Sequence, residues 1–325
     1  MTEINRINDQ KFQNDLERLS NEAEALRFNT MAKYQSRTFL ATGLSIIIIL
    51  LCAGGFGWFL LMEAQAAPAF LFIIICLISP LMLHSWAEGM LKTYRQLYKR
   101  EFLPKLAKLL GGLSFHPKRG ISAKVINRTG ILPSHTLYEA EDCFMGMYKG
   151  VKVIFSEARL YRDKRKEQKT FEGVFVLLEA PQDKFTGHTI ISANADMVRR
   201  YTGKRWKKLS PVAFKNESAH AGRFQMVSSN VEAAQDIASP ALLKELAEAA
   251  DIFDKAPLSA AFFAKKYVFM MIPYAHDMFE PSSLHMPIQT SRHAVQCKRE
   301  IDQILEIVDV FDLYRPNATA GFNEV

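Results

Sequence analysis

Apolar residues run almost unbroken from Phe39 to Met62 and again from Pro68 to Ala87, with only Glu63-Ala64-Gln65-Ala66-Ala67 between the runs. A bilayer core of about 30 Å needs roughly 20 helical residues to cross it, so each run is long enough for a transmembrane helix. The short connection predicts a tight hairpin. The pattern outside the runs is also helical. Phe12, Leu16, Leu19, Ala23 and Leu26 recur in three- and four-residue steps, and so do Leu91, Tyr94, Tyr98, Phe102, Leu106 and Leu109. The simplest arrangement continues both membrane helices into an antiparallel stalk with the two stripes facing each other. Pairing of the same stripes between copies, giving a homo-oligomer, is the alternative. Pro104 interrupts or restarts the second stripe and Gly111-Gly112 ends it. Inside the hairpin, Ala53, Gly54, Gly55 and Gly57 are small enough for close helix contact. Pro80 is expected to kink the second helix, because it lacks an N–H and crowds the preceding turn.

Beyond Gly112 the periodicity changes. Residues 113–135 read as loop, with a short helix from about Ser122 to Arg128 that Gly130 ends. Thr136 to Tyr148 and Val151 to Leu160 read as two strands of a hairpin turning at Lys149-Gly150, with Val151, Val153 and Phe155 on one face. Phe171–Glu179, Thr189–Ser192, Leu209–Phe214 and Phe224–Ser228 continue the sheet. Ser239-Pro240 is an N-cap followed by proline at the first helical position, and Leu242, Leu243, Leu246, Ala249 and Ala250 are the apolar face of that helix. Ala261–Ala264 and Tyr267–Ile272 form a second hairpin about Lys265-Lys266, and a last helix runs from about Ser291 to Leu313. Strands in series followed by late helices predict an α+β fold: a two-helix transmembrane hairpin with a helical stalk, then a mainly antiparallel sheet with flanking helices. The expected divisions are an amphipathic helix (1–38), the hairpin (39–87), a stalk helix (88–112), an α+β domain (113–315) and a polar tail (316–325).

Charge orients this arrangement. Lys33 and Arg37 precede the first run, Lys92, Arg95, Lys99 and Arg100 follow the second, and the connecting loop has only Glu63. The positive-inside bias puts both termini and the large domain in the cytoplasm of a multi-pass protein. The first run starts too far from Met1, and is too long, to be a signal peptide. The chain carries a net charge of +7 over 325 residues, and the basic excess is densest in residues 88–112, where it leaves the second run. That suits anionic lipid headgroups. Nucleic acid is not an expected partner, because no recognition motif is present. The four cysteines, Cys52, Cys76, Cys143 and Cys297, show no metal-ligand spacing and read as free thiols.

Several motifs carry a resemblance. In order they are Glu141-Asp142, Gly146-Met-Tyr-Lys-Gly150, Phe155-Ser-Glu157, Phe171-Glu-Gly173, Phe185-x-Gly187-x-Thr189, Phe224-Gln-Met-Val-Ser228, Val231-Glu-Ala233, Ser239-Pro-Ala-Leu-Leu243 and Met278-Phe-Glu-Pro281. Across about residues 90–314 the chain resembles a bacterial two-helix membrane protein family catalogued as domain of unknown function 3137. The resemblance implies a bacterial inner-membrane location and a cytoplasmic α+β domain. It implies no activity and transfers no catalytic residues.

The candidate chemistry is sparse. Asp142 and Glu157 are the first pair to test. Pairing about the Lys149-Gly150 turn makes partners sum to 299, which sets Asp142 opposite Glu157, where like charges destabilise a sheet unless a cation or a shared proton joins them. The competing reading is a structural pair compensated by Lys152 or Arg159. His276, Asp277 and Glu280 are better explained as turn caps than as a metal site, and His135 and Glu139 lie on a strand, where a four-residue spacing does not stack side chains. Cys143 reads as a small buried residue. Ser156 lacks a nucleophile elbow, and Gly146–Gly150 lacks the Lys-Ser/Thr of a phosphate loop. Two basic runs remain. The run Arg159, Arg162, Lys164, Arg165, Lys166 and Lys169 reads as a solvated loop. The run Arg199, Arg200, Arg205, Trp206, Lys207 and Lys208 carries an aromatic among cations, which suits contact with headgroups. No cofactor and no metal are expected. The reading that fits best is a membrane-anchored cytoplasmic scaffold or regulatory module with a protein partner. The alternative is a membrane-tethered hydrolase or small-ligand-binding domain using Asp142 and Glu157. No motif names a reaction, so enzymatic activity stays open, with a non-enzymatic role favoured.

Overall fold

The computed structural model describes residues 3–61, 67–109, 112–194, 209–215 and 219–275, together with 279, 281, 283–285, 304, 305 and 308. The chain forms two compact units, one of residues 1–102 and 280–291, the other of residues 103–279 and 292–325.

The first unit is helical. Helix α1 runs from Glu3 to Leu61 and passes residue 38 without a break, and α2 runs from Ala67 to Leu97. They pack antiparallel: the Arg37 guanidinium stands 4.6 Å over the Trp86 ring, while Arg27, ten residues earlier on α1, lies by Tyr94, later on α2. The stripe seen in the sequence forms the seam. Leu16, Leu19 and Ala23 are buried on α1, and Tyr94, Tyr98 and Phe102 at the far end of the second segment. The stripe continues through Thr30, Ala41, Ser45 and Cys52 into the apolar run. A Cβ on Gly43, Gly54 or Gly57 would meet open space, so these glycines are not in the seam, where the small buried residues are Ala41, Ser45 and Ala87. Helix α2 continues across Pro80, and the Ser79 hydroxyl donates to the Ile75 carbonyl at 2.6 Å. Both helices are long and apolar enough to cross a membrane by length and composition. A π-helical turn, Tyr98–Phe102, ends this stretch. Its wider loop falls where Pro104 would crowd, and withhold a hydrogen bond from, an ordinary helical turn.

The second unit begins with α3 (Leu103–Leu109), and its described residues form one sheet of nine antiparallel strands. In chain order these are β1 (Ser114–His116), β2 (Leu137–Tyr148), β3 (Val151–Tyr161), β4 (Lys169–Glu179), β5 (Thr189–Ser192), β6 (Ser210–Val212), β7 (Gln225–Ser228), β8 (Ser259–Phe263) and β9 (Tyr267–Pro273). In space they lie β1-β2-β3-β4-β9-β8-β5-β7-β6. The first hairpin turns as the sequence predicts, through Lys149 (φ 48°) and Gly150 (φ 79°); the second turns through Ala264–Lys266 rather than about Lys265-Lys266, with positive φ at Ala264 (48°) and Lys265 (70°), so Ala264 leaves the strand. Helices α4 (Ala123–Ile126), α5 (Val231–Ile237) and α6 (Pro240–Ile252) and a 3-10 turn at Ala221–Arg223 lie between the strands. Ser239 caps α6, its hydroxyl accepting from the Leu242 N–H at 3.2 Å, and Asn230 caps α5 in the same way.

Both faces of the sheet are covered. One carries Leu160, Phe175, Ile190 and Phe269 against Ile121, Ile126 and Ile131 of the α4 region. The other carries Phe144, Phe155, Val176, Phe262 and Met270, all fully buried. The faces assign themselves through register: Phe155 pairs with Val176, Val176 with Met270, and Val268 with Phe262. At the β4–β9 junction a Cβ on Gly173 would lie 2.1 Å from the Ile272 carbonyl, so only glycine fits there. The final helix expected from about Ser291 to Leu313 lies almost entirely outside the described residues, as does the tail 316–325.

Candidate functional site

The polar end of β2, β3 and β4 holds the richest chemistry among the described residues. It is created by a bulge. From the turn to Phe144 the β2–β3 partners sum as expected, with Phe144 opposite Phe155. Beyond it Glu141, not Asp142, lies opposite Glu157. One extra residue has entered β2. Asp142 takes φ 52° and its N–H leaves the ladder for the Pro117 carbonyl, at 3.2 Å. The expected pairing of Asp142 with Glu157 is therefore corrected. Asp142 is buried in the bulge, and the shift puts Glu139 and Glu141 on the same face as Glu157 and Arg159. Aspartate is among the few residues that tolerate the left-handed region and is depleted in strands, so Asp142 within a strand pattern was the available signal.

Two glutamates directly opposite each other would repel. Arg159 resolves this. Its guanidinium bonds Glu141 through Nη1, Glu172 through Nε at 2.9 Å, and stands 3.9 Å from Glu157 through Nη2. Lys169 also reaches Glu172, at 2.6 Å, and Lys166 reaches Glu139 at 2.6 Å. Burial alone would raise the Glu172 carboxyl, but hydrogen bonds from Lys169 and then Arg159 hold it below the usual range. Of the two compensating cations expected, Arg159 serves this cluster, whereas Lys152 pairs across the sheet with Glu179. Around the cluster lies an open cleft of about 450 Å³, lined by Pro117, Lys118, Glu139, Glu141, Glu157 and Arg159.

Neighbouring residues behave as packing groups. Burial pushes the Cys143 thiol up to about 11, the state of an inert thiol. Burial, with Cys143 nearby, also raises the Tyr138 hydroxyl, which donates to the Ile121 carbonyl at 2.9 Å. His135 turns to the Pro133 carbonyl at 2.9 Å while Glu139 goes to Lys166, so the two do not converge. Of the first basic run, Arg162, Lys164, Arg165 and Lys166 lie in the β3–β4 turn, closed by Asp163, whose carboxylate accepts from the Glu167 and Gln168 N–H groups at 3.1 and 2.8 Å, whereas Arg159 is on β3 and Lys169 on β4, in the cluster rather than in a solvated loop. Among the described residues no cluster of three or more His, Cys, Asp or Glu could hold a metal ion. The run Arg199, Arg200, Arg205, Trp206, Lys207 and Lys208 lies outside the described residues, as do His276, Asp277 and Glu280.

Residues 169–313 match the family model described as "Protein of unknown function (DUF3137)". The match begins at β4. It contains Glu172 and the motifs from Phe171 onward, while β2, β3 and Arg159 precede it. No curated protein and no solved structure matches the chain significantly.

Proposed function

We infer that this chain, whose residues 169–313 are a domain of unknown function 3137, is a membrane-anchored scaffold or regulatory module. In this reading α1 and α2 cross a bacterial inner membrane and hold the sheet unit on the cytoplasmic side, with both termini cytoplasmic. The observation that carries it is where large apolar side chains are exposed. On α1 and α2 they face outward in dense succession, from Phe39 to Trp58 and from Ile73 to Trp86. In the sheet unit only Met147 and Val231 do so among the described residues. Water disfavours the first pattern, and lipid accepts it. Trp86 stacked under Arg37, at the edge of both apolar runs, is what a headgroup boundary favours. The run Arg199, Arg200, Arg205, Trp206, Lys207 and Lys208 belongs to the same reading as a second set of headgroup contacts.

The cleft supports the interaction role over a catalytic one, because Glu141, Glu157 and Glu172 share one guanidinium, and Glu172 also takes Lys169, rather than standing open for a ligand. The test is topological. In a cysteine-free background, a membrane-impermeant thiol reagent applied to intact cells should label a cysteine at Ala66 and leave one at Ser20 unlabelled. Labelling at Ser20 overturns the orientation, and extraction of the intact chain by carbonate overturns the anchoring.

The second reading, a hydrolase or small-ligand site, is favoured by the 450 Å³ cleft and by buried Asp142 at positive φ beside it. A divalent cation or ligand held there would raise the melting temperature by mass action. The double change Glu141→Gln and Glu157→Gln would abolish that rise. We expect no rise in the unaltered chain, and a magnesium- or calcium-dependent shift that the double variant loses would replace the first reading with the second.

A further inference from the structure

Five strands of the sheet end on one line. Met147 pairs with Lys152, Lys152 with Glu179, Glu179 with Tyr267 and Tyr267 with Phe263, so register sets these residues in one row across β2, β3, β4, β9 and β8. At about 4.8 Å per strand the row is roughly 19 Å wide. Beyond it the chain turns at Lys149-Gly150 and at Ala264–Lys266, and leaves β4 through residues 180–186. The Lys184 and Phe185 N–H groups both donate to the Lys265 carbonyl, at 2.7 and 2.6 Å, which ties that exit to the second turn. Phe262 pairs with Thr189 and Thr189 with Ser228, so β7 also runs out at this end, into Asn230 and Val231.

The side chains gathered here are of a particular kind. Residues 147–152, 179–188, 229–232 and 263–267 hold Lys149, Lys152, Lys184, Lys265 and Lys266 against Glu179, Asp183 and Glu232, a net charge of +2. Lys149, Lys152, Lys184 and Lys265 are exposed. Each turn also sets a lysine by a tyrosine: the Lys149 Nζ stands 5.2 Å from the Tyr148 ring centre, and the Lys266 Nζ 5.4 Å from that of Tyr267. Met147, 60% exposed, lies beside the first pair. Met147 and Val231 are the large apolar side chains that the described residues of the sheet unit expose, and both are at this end. The β3–β4 turn at the opposite end is also basic, but there Lys166 and Lys169 are held by Glu139 and Glu172, and no large apolar side chain is exposed among the described residues.

We propose that this end of the sheet is a docking face for an anionic lipid surface, with Met147 entering the headgroup layer, Tyr148 and Tyr267 at its boundary and the lysines on the phosphates. Apolar area and lysine charge act together in such contacts. Tyrosine suits the boundary because its ring is apolar and its hydroxyl wet. These segments contain no arginine. An arginine fork favours one fixed carboxylate, whereas the compact charge of lysine suits headgroups that move in the plane. The docking rests on the reading that α1 and α2 anchor the chain, since so small a face holds a membrane only when another element keeps it close.

The test uses the full chain in nanodiscs of phosphatidylcholine, alone or with an equal part of phosphatidylglycerol. Cys52, Cys76 and Cys297 are replaced, and Cys143, fully buried, is left in place. Met147→Cys carries a polarity-sensitive fluorophore. Lys164→Cys, in the turn at the opposite end, carries the same dye as the reference. The dye at position 147 should be blue-shifted and roughly threefold brighter in the anionic discs, and about 1 M salt, which cuts the screening length to about 3 Å, should remove most of the gain. The dye at position 164 should not respond. Lys149→Gln, Lys152→Gln and Lys265→Gln together should abolish the gain at position 147 without moving the melting temperature. If that triple variant melts early, Lys152→Gln alone decides, and should lower the gain in part. Equal brightness in the two kinds of disc, or an equal gain at position 164, overturns the docking and leaves the anchoring intact. A gain with soluble polyglutamate but none with anionic discs overturns it in favour of an acidic protein partner. A chain that stays out of the discs overturns the anchoring, and the docking with it.

Discussion

Leu50 on α1 is 65% exposed and Leu81 on α2 71%, whereas Phe144, Phe155 and Phe175 in the sheet are fully buried. The two units are built from the same apolar residue types and place them oppositely. Within the apolar runs of the helices the seam is made of small side chains, Ala41, Ser45 and Ala87, and most of the large ones there point away from it. In the sheet the large ones fill both faces, and charge is driven to the rim. On the reading proposed above, the difference is one of solvent. A helix satisfies its own backbone, so it can turn its bulk toward lipid. A strand cannot, and needs neighbours and a covered face.

Charge placed on each exposed apolar side chain gives the largest test of this contrast. Leu50→Arg should cost roughly 2.5–3.5 kcal/mol of membrane insertion if that face meets lipid. Met147→Arg, at a side chain 60% exposed on the β2–β3 hairpin, should change stability by no more than about 0.5 kcal/mol. Insertion is read from the membrane-bound fraction and stability from denaturant unfolding. Equal, small effects at both sites would mean that the helices face water.

The units also differ in how far their sequences reveal them. The helices were legible because each register signal lies within one segment: the apolar runs gave their length, and Leu16, Leu19, Tyr94 and Tyr98 gave the packing stripe. Most strands of the sheet were legible too, and the tight turn at Lys149-Gly150, since alternation and that pair are local; the second turn begins one residue before the expected Lys265-Lys266. Strand β1 was read as loop, because three residues cannot establish an alternation. The placement of β9 beside β4, and of β5 beyond β8, was not legible, since it rests on pairings far apart in sequence. The candidate site failed at one residue. Glu157 was singled out and does lie in the cleft, but its partner is Glu141, because the bulge at Asp142 depends on a bond to Pro117 that local pattern does not show. The role of Arg159, named only as one compensating cation, follows from that shift.

A smaller effect sharpens the contrast within the sheet, where charges lie at two depths. Arg159→Met removes the group that holds Glu141, Glu157 and Glu172 apart, and Glu157 is the most buried of the three. The expected loss is about 1–3 kcal/mol, less than for a fully buried pair because the arginine is partly solvated. Adding Glu157→Gln should restore part of it. Breaking the exposed Arg223–Asp251 pair, 2.8 Å long, by Arg223→Met should cost no more than about 1 kcal/mol. Urea midpoints of the four chains decide this. If Arg159→Met proves as mild as Arg223→Met, the carboxylates are solvated and the cleft holds no electrostatic tension.

The smallest effect is a pH dependence that belongs to the sheet unit. His188 leads into β5 with its ring near Phe263, and Nε2 lies 2.9 Å from the Thr129 carbonyl. That bond requires a proton on Nε2, so the neutral ring is the tautomer with bare Nδ1. Burial lowers the His188 pKa below its ordinary value, and the hydrogen bond to Thr129 only partly opposes this. The sign follows. Above about pH 6.5 the ring is neutral in both the folded and the unfolded chain, and its contribution to stability is fully present. As pH falls through that value the unfolded chain takes up a proton that the folded chain resists, so stability declines until the lowered folded pKa is reached. The melting temperature of the sheet unit should therefore drop on acidification from pH 7. His188→Gln, whose amide can still donate to the Thr129 carbonyl, should flatten the drop while costing little at pH 7. A decline of the same size in both chains would assign the acid sensitivity to other groups and leave His188 as a neutral packing residue.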